Sequence, residues 1–407
     1  MPSKGVGRWE LSPEGASLST PIITARPDGS SVGALSIDMA VALARAQQER
    51  AAACFLRPRP LVNDALFSLR PTTIERVETS GVAGAWQRIR WAAREAVDGT
   101  RARAIGARSS FWLEIYRELR RHIGDARLPY PLRTRLRDIG ERSLAWSETA
   151  ATLARPTPFP RRLLRERIAT ALPADVVSPL VARWPELAPG RRVVTLEVRS
   201  RFDRFRDAID VLIADGYAVA YLGQVSSGGV SRSGVIDLSP GHGLPEALPV
   251  LALLSSEFLV CESPELQRVA YLTNTPCLMV NAIDPFAAYP VRGDGVYTLA
   301  TAVNLETGEA LGPDALLDEG YVRQIHRFGH RLNASAEILA AVTEMQHGLH
   351  HGWHETEAQA RYRARVVDAG AGLAGRVPRV EQWGPDRGFI GDGRLARVQA
   401  DRQDQPA

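Results

Sequence analysis

Between Arg192 and Val280 short, nearly unbroken apolar runs alternate with longer amphipathic ones, and few folds accept that rhythm. Arg192 to Val198, Tyr217 to Leu222, Glu257 to Cys261 and Cys277 to Val280 have the length and composition of strands. Phe202 to Asp215, Leu248 to Leu254 and Leu266 to Leu272 have the length of helices. In the first of these, Phe205, Ile209, Leu212 and Ile213 share a face, and Gly216 stands where the helix should end. Strands this apolar must be covered on both sides. Helical connections between them imply right-handed crossovers and a mostly parallel sheet.

The first half starts in the same style. Ile22, Ile23 and Thr24 read as a strand, Asp28 to Gly33 as a turn, Ala34 to Gln48 as a helix and Ala51 to Leu56 as the next strand. From Trp86 to about Ala174 the pattern is helical, with Trp112, Ile115, Tyr116 and Leu119 on one face and prolines cutting the region into short pieces. Pro185, Pro189 and Gly190 mark a domain boundary. The expected organisation is a flexible leader over 1–20 and an α/β domain with a helical insertion over 21–190. A second α/β domain over 191–345 includes a helix with Ile325 and another over Ser335 to Met345, and a C-terminal extension covers 346–407. A length of 407 residues suits two cores.

Composition removes several classes. Hydrophobic residues make up 45% and charged residues 24%, as in a globular protein. Fifty basic and 46 acidic residues leave a net charge of +4, without the long basic tracts of a nucleic-acid surface. The densest basic cluster, Arg161 to Arg167, reads as a solvated helix face. Cys54, Cys261 and Cys277 sit in apolar surroundings, which suits buried thiols in a reducing, cytoplasmic setting. No membrane-length apolar run is present, and Lys4 and Arg8 are followed by Glu10, Ser12 and Gly15 instead of a signal-peptide core.

In an open parallel sheet ligands gather beyond the C-terminal ends of the strands. That rule selects Arg199 to Arg204, Gly223 to Asp237, Glu262 to Pro264 and Asn281 to Asp284. Arg199, directly after a strand, offers a guanidinium fork for phosphate or an ordinary surface ion pair. Gln224 to Gly234 is rich in glycine and serine and is either a phosphate-closing loop or a plain connection; it has neither the P-loop ending nor the dinucleotide glycine fingerprint. Ser263 and Pro264 suit the N-cap and first position of a helix, which also presents amides to an anion. Asp237 and Glu262 are candidates to hold a ribose or sugar hydroxyl. His347, His350, His351 and His354 lack a carboxylate-bearing framework and read as a solvated helix end, so no metal site is expected. In the first half, Asp38 follows the Asp28 to Gly33 loop; it is a candidate to orient or deprotonate an acceptor hydroxyl, or a surface charge.

Seven stretches taken together resemble a bacterial glycosyltransferase family of the two-Rossmann-like-domain GT-B architecture, distantly similar to fucosyltransferase-like enzymes. They are Leu128 to Arg133, Val194 to Arg199, Gly216 to Val219, Tyr221 to Gly223, Val235 to Leu238, Phe258 to Pro264 and Thr275 to Asn281. The chain departs from the family pattern in three places. Glu197 stands where a histidine is usual, Pro264 replaces a glycine after Ser263, and Gly33-Ala34 stands for a glycine-histidine pair. The resemblance implies two Rossmann-like domains facing a cleft, with Arg199 on the donor diphosphate and Asp237 and Asn281 shaping the donor pocket. It implies transfer of a sugar from a nucleotide diphosphate sugar to a hydroxyl- or amine-bearing acceptor, with inversion and with Ser263 on the donor side; by their position in the sequence, Gly223 and Glu262 are also expected on the donor side and Asp38 on the acceptor side. No cofactor beyond the donor substrate is expected, and a homo-oligomer is admissible. Two other classes remain open: a non-catalytic nucleotide-sugar or sugar-phosphate binding module, and an epimerase or hydrolase on the same fold.

Overall fold

The computed structural model describes residues 22–25, 35–37, 39–40, 42–43, 52–57, 76–77, 184–185, 192–223, 232–239, 247–286, 290–373, 377 and 389–392. Near the start, β1 (Ile22–Ala25), β2 (Ala52–Arg57) and β3 (Arg76–Val77) form a parallel sheet, with helical positions between Leu35 and Leu43. The expected strand, helix and strand are therefore present at those positions. The Asp28 to Gly33 turn, Asp38, the helical region from Trp86 and most of the Gln224 to Gly234 loop lie outside the described residues.

The larger sheet has seven strands, all paired in parallel: β4 (Val193–Val198), β5 (Ala218–Gly223), β6 (Val235–Asp237), β7 (Ser256–Cys261), β8 (Cys277–Ala282), β9 (Gly295–Leu299) and, after the small pair described below, β12 (Phe389–Ile390). Their spatial order is β6-β5-β4-β7-β8-β9-β12. The chain steps outward from β4 to β6, returns to the other side of β4 with β7, and steps outward again. That reversal is the order of a doubly wound α/β sheet, and its switch point lies between β4 and β7.

The helices cover both faces, as the apolar strands require. Alpha-helix α1 (Arg206–Ala214) and α5 (Ser335–His351) pack with Val194, Leu196, Val198, Phe258 and Val280 on one side. The other side carries α2 (Ala247–Ser255) and α3 (Pro264–Thr273), with Leu259, Cys261 and Met279. Leu35, Met39 and Leu43 belong to this second apolar cluster. Helix α1 stops at Gly216, whose φ of 82° lets Tyr217 N–H reach the Leu212 carbonyl and Gly216 N–H the Ile213 carbonyl.

Short elements escaped the periodicity. A two-stranded antiparallel pair, β10 (Thr301–Asn304) and β11 (Phe328–Arg331), rises from the end of β9, with α4 (Glu319–Arg323) between its strands. Helix α5 continues past Met345 to His351, so the boundary set at residue 345 falls inside it. Gly348 resembles a stop but is a packing site: a Cβ there would overlap the Trp353 indole. Helix α6 (Glu357–Leu373) and β12 follow, and β12 adds a strand to the sheet edge. Among the described residues no helix is long and apolar enough to cross a membrane.

Candidate functional site

The switch point is held by two carboxylates that each serve the opposite strand exit. Glu197, on β4, accepts from Arg199 Nε at 2.7 Å and from the Glu262 backbone N–H at 2.9 Å. Glu262, just beyond β7, reaches back to β4. Its Oε2 accepts from the Arg199 and Ser200 amides at 2.5 and 2.7 Å, and its Oε1 from Ser200 Oγ at 2.6 Å and from Asn281 Nδ2. These are the amides that a phosphate would seek at a doubly wound switch point. Here a side-chain carboxylate of the chain occupies them. Burial raises the Glu197 carboxyl above its usual range, against the opposing pull of its bonds from Arg199 and the Glu262 amide.

Arg199 is the outward-facing member. Its side chain is 48% exposed, tied to Glu197 and 4.0 Å from Glu265. Ser263 has the expected capping geometry: its Oγ accepts from Glu265 N–H at 3.1 Å, and Pro264 occupies the first turn. The residue is fully buried. Pro264 has no N–H, and the Gln267 N–H bonds the Ser263 carbonyl, so this helix start presents fewer open amides than the sequence suggested.

Asn281 is also part of the framework. Its φ of 58° turns the chain at the end of β8, and it pairs reciprocally with Asn333. Asn281 N–H donates to Asn333 Oδ1 at 2.7 Å, and Asn333 N–H to Asn281 Oδ1 at 2.6 Å. Thr298 Oγ1 donates to the same Asn333 oxygen at 2.8 Å, while Arg204 donates to the Leu332 and Asn333 carbonyls. On the other flank, Asp237 Oδ1 accepts from Ser239 N–H at 2.9 Å, and Ser239 Oγ accepts from Gly223 N–H at 3.0 Å. A Cβ at Gly223 would overlap the Tyr221 phenol, which lies against the glycine. Burial raises the Tyr221 hydroxyl, and the charges of Asp237 and Glu262 add to that shift.

The structure thus joins Arg199, Glu262, Ser263 and Asn281 at the exits of β4, β7 and β8, and links Gly223 with Asp237 at β5 and β6. Ser200 lies within the selected Arg199 to Arg204 segment but was not singled out, and Thr298 on β9 and Asn333 beyond β11 were missed, because a single polar residue carries no periodic signal.

A further pair stands over the exit of β8. Tyr321, on α4, donates its hydroxyl to the Ile283 carbonyl at 2.7 Å, and the same oxygen lies 3.1 Å from His330 Nε2 on β11. Burial lowers the proton affinity of His330. At the opposite end of the sheet, His350 on α5 is engaged with Glu257 at 2.5 Å, alongside Tyr217 and Arg192. Burial pushes the Tyr217 phenol up to about 12, and Glu257 adds to it. His350 is therefore a structural partner as well as an exposed helix-end residue, and His347, His351 and His354 are exposed too. Among the described residues no group of three or more His, Cys, Asp or Glu side chains converges as a metal site.

Comparison with known protein families and with characterised proteins finds no match to this chain.

Proposed function

We propose that the chain is a nucleotide-sugar-dependent glycosyltransferase built on two Rossmann-like domains facing a cleft, with its donor site on the C-terminal edge of the larger sheet. The observation that supports this reading is the reversal of strand order between β4 and β7, with Arg199 facing outward at that point. The donor's diphosphate would take the half-exposed guanidinium of Arg199 as its positive partner. The backbone amides of residues 199 and 200 stay with Glu262, which fixes the loop instead of binding ligand. Asp237 and Tyr221 on the β5–β6 side would meet donor hydroxyl groups. The acceptor is a hydroxyl- or amine-bearing molecule, and the departing diphosphate's charge is stabilised by Arg199. Buried, unbridged Cys261 and Cys277 suit a reducing, cytoplasmic setting.

One observation favours a second reading, a non-catalytic nucleotide-sugar binding module: the chain's own carboxylates fill the switch-point amides. Incubation with uridine and guanosine diphosphate sugars and a panel of acceptors separates the two. Transfer predicts release of nucleoside diphosphate in step with a new glycoside. Saturable binding without release or transfer would support the module and contradict the enzyme.

A further inference from the structure

The contacts of Tyr321 fix the protonation pattern of its neighbour. A phenol has one proton, and a carbonyl oxygen can only accept. The 2.7 Å approach of Tyr321 Oη to the Ile283 carbonyl therefore takes the phenol's proton. At the 3.1 Å contact with His330 Nε2 the phenol oxygen must accept, so Nε2 carries the hydrogen. Burial, with no charged partner contributing, favours the neutral ring. In a neutral Nε2–H imidazole, Nδ1 is a free lone pair.

The position matters as much as the tautomer. Ile283 is the first residue beyond β8, two after Asn281, whose amide bonds Glu262 at the switch point. Asn333, two residues beyond β11, closes the same network through Asn281. His330 pairs with Ala302 on β10, three residues beyond the C-terminal end of β9, and is part-buried. Ile283, whose carbonyl accepts from Tyr321, is 42% exposed.

We infer that His330 is the general base of this site, with Tyr321 as the positioning residue that holds its tautomer. The inference rests on the transferase reading and assigns to His330 the proton-acceptor role for which the sequence offered Asp38. As the acceptor oxygen attacks, its proton passes to His330 Nδ1. The new bond forms from that oxygen to the sugar's anomeric carbon, and the bond from that carbon to the phosphate oxygen breaks. The electron pair leaves with the nucleoside diphosphate. The imidazolium then returns its proton to solvent.

The test uses the full chain, with His330→Gln and Tyr321→Phe. Nitrogen NMR of the histidine rings at neutral pH should show His330 protonated at Nε2 and bare at Nδ1, and Tyr321→Phe should lose that single pattern. His330→Gln should lower kcat about a hundredfold or more with donor affinity unchanged, and should remove the acid limb of the pH profile. Tyr321→Phe should lower kcat less and shift that limb. An Nδ1–H ring overturns the inference, as does parental turnover in His330→Gln; a loss confined to Asp38→Asn would return the role to that residue. In each of those cases the transferase reading stands. Absence of donor binding and transfer in the parent protein overturns the reading and the inference with it.

Discussion

Glu262 shows how one side chain can look like a ligand-binding residue in sequence and act as a clamp in the fold. A carboxylate just past an apolar strand is the pattern of a hydroxyl or ribose partner. In the structure all its near bonds go to Arg199, Ser200 and Asn281. Removing it would leave two backbone amides at the switch point without their acceptor. Glu262→Ala is expected to lower stability by about 2–4 kcal/mol, measured as a shift in the denaturant midpoint. A change below the error of that measurement would show that the clamp is dispensable. Arg199 differs because it is half-exposed, and its loss should spare the fold. Ser263 was legible as a cap because serine followed by proline after a strand has a local cause. Asn281 and Asn333 were not legible as a pair, since 52 residues separate them and only the fold brings them together.

The alternating elements from β4 to β8 were readable because both their lengths and their apolar character are set locally. Two-residue β12 has no period to read. It is placed by a buried polar cluster: Glu344 on α5 accepts from Gln359 Nε2 at 2.6 Å and from Asp392 N–H at 2.9 Å, and Gln359 also donates to the Ile390 carbonyl at 2.6 Å. Thr356 Oγ1 bonds Asp392 at 2.8 Å. Burial outweighs those bonds and lifts the Glu344 carboxyl from 4.5 to about 6. The folded protein then holds a proton that the unfolded chain releases at lower pH. Stability should therefore fall as pH rises from 4.5 to about 6, by about 2 kcal/mol from this group. Glu344→Gln should flatten the stability profile in that window. Denaturant titrations across the window check this, and an unchanged slope in the variant would remove Glu344 as its source.

For the whole molecule, the α/β class and a parallel sheet followed from the sequence, while the strand order did not. Apolar runs state that strands exist and are covered on both faces. They do not state which strands are neighbours, because pairing is decided by long-range crossovers. The order observed here puts the exits of β4 and β7 side by side and so gives Arg199 its place at the switch point. In the proposed function this arginine binds the diphosphate of a nucleotide sugar. Calorimetric titration of the parent protein, Arg199→Lys and Arg199→Ala with intact uridine and guanosine diphosphate sugars, beside the free nucleosides, tests it most directly. Loss of a charged hydrogen bond of about 1.5–3 kcal/mol predicts roughly ten- to hundredfold weaker sugar-nucleotide binding in Arg199→Ala, a smaller loss in Arg199→Lys, and no change for the nucleosides. Binding of the intact sugar nucleotide by Arg199→Ala as tightly as by the parent would rule out that role for Arg199.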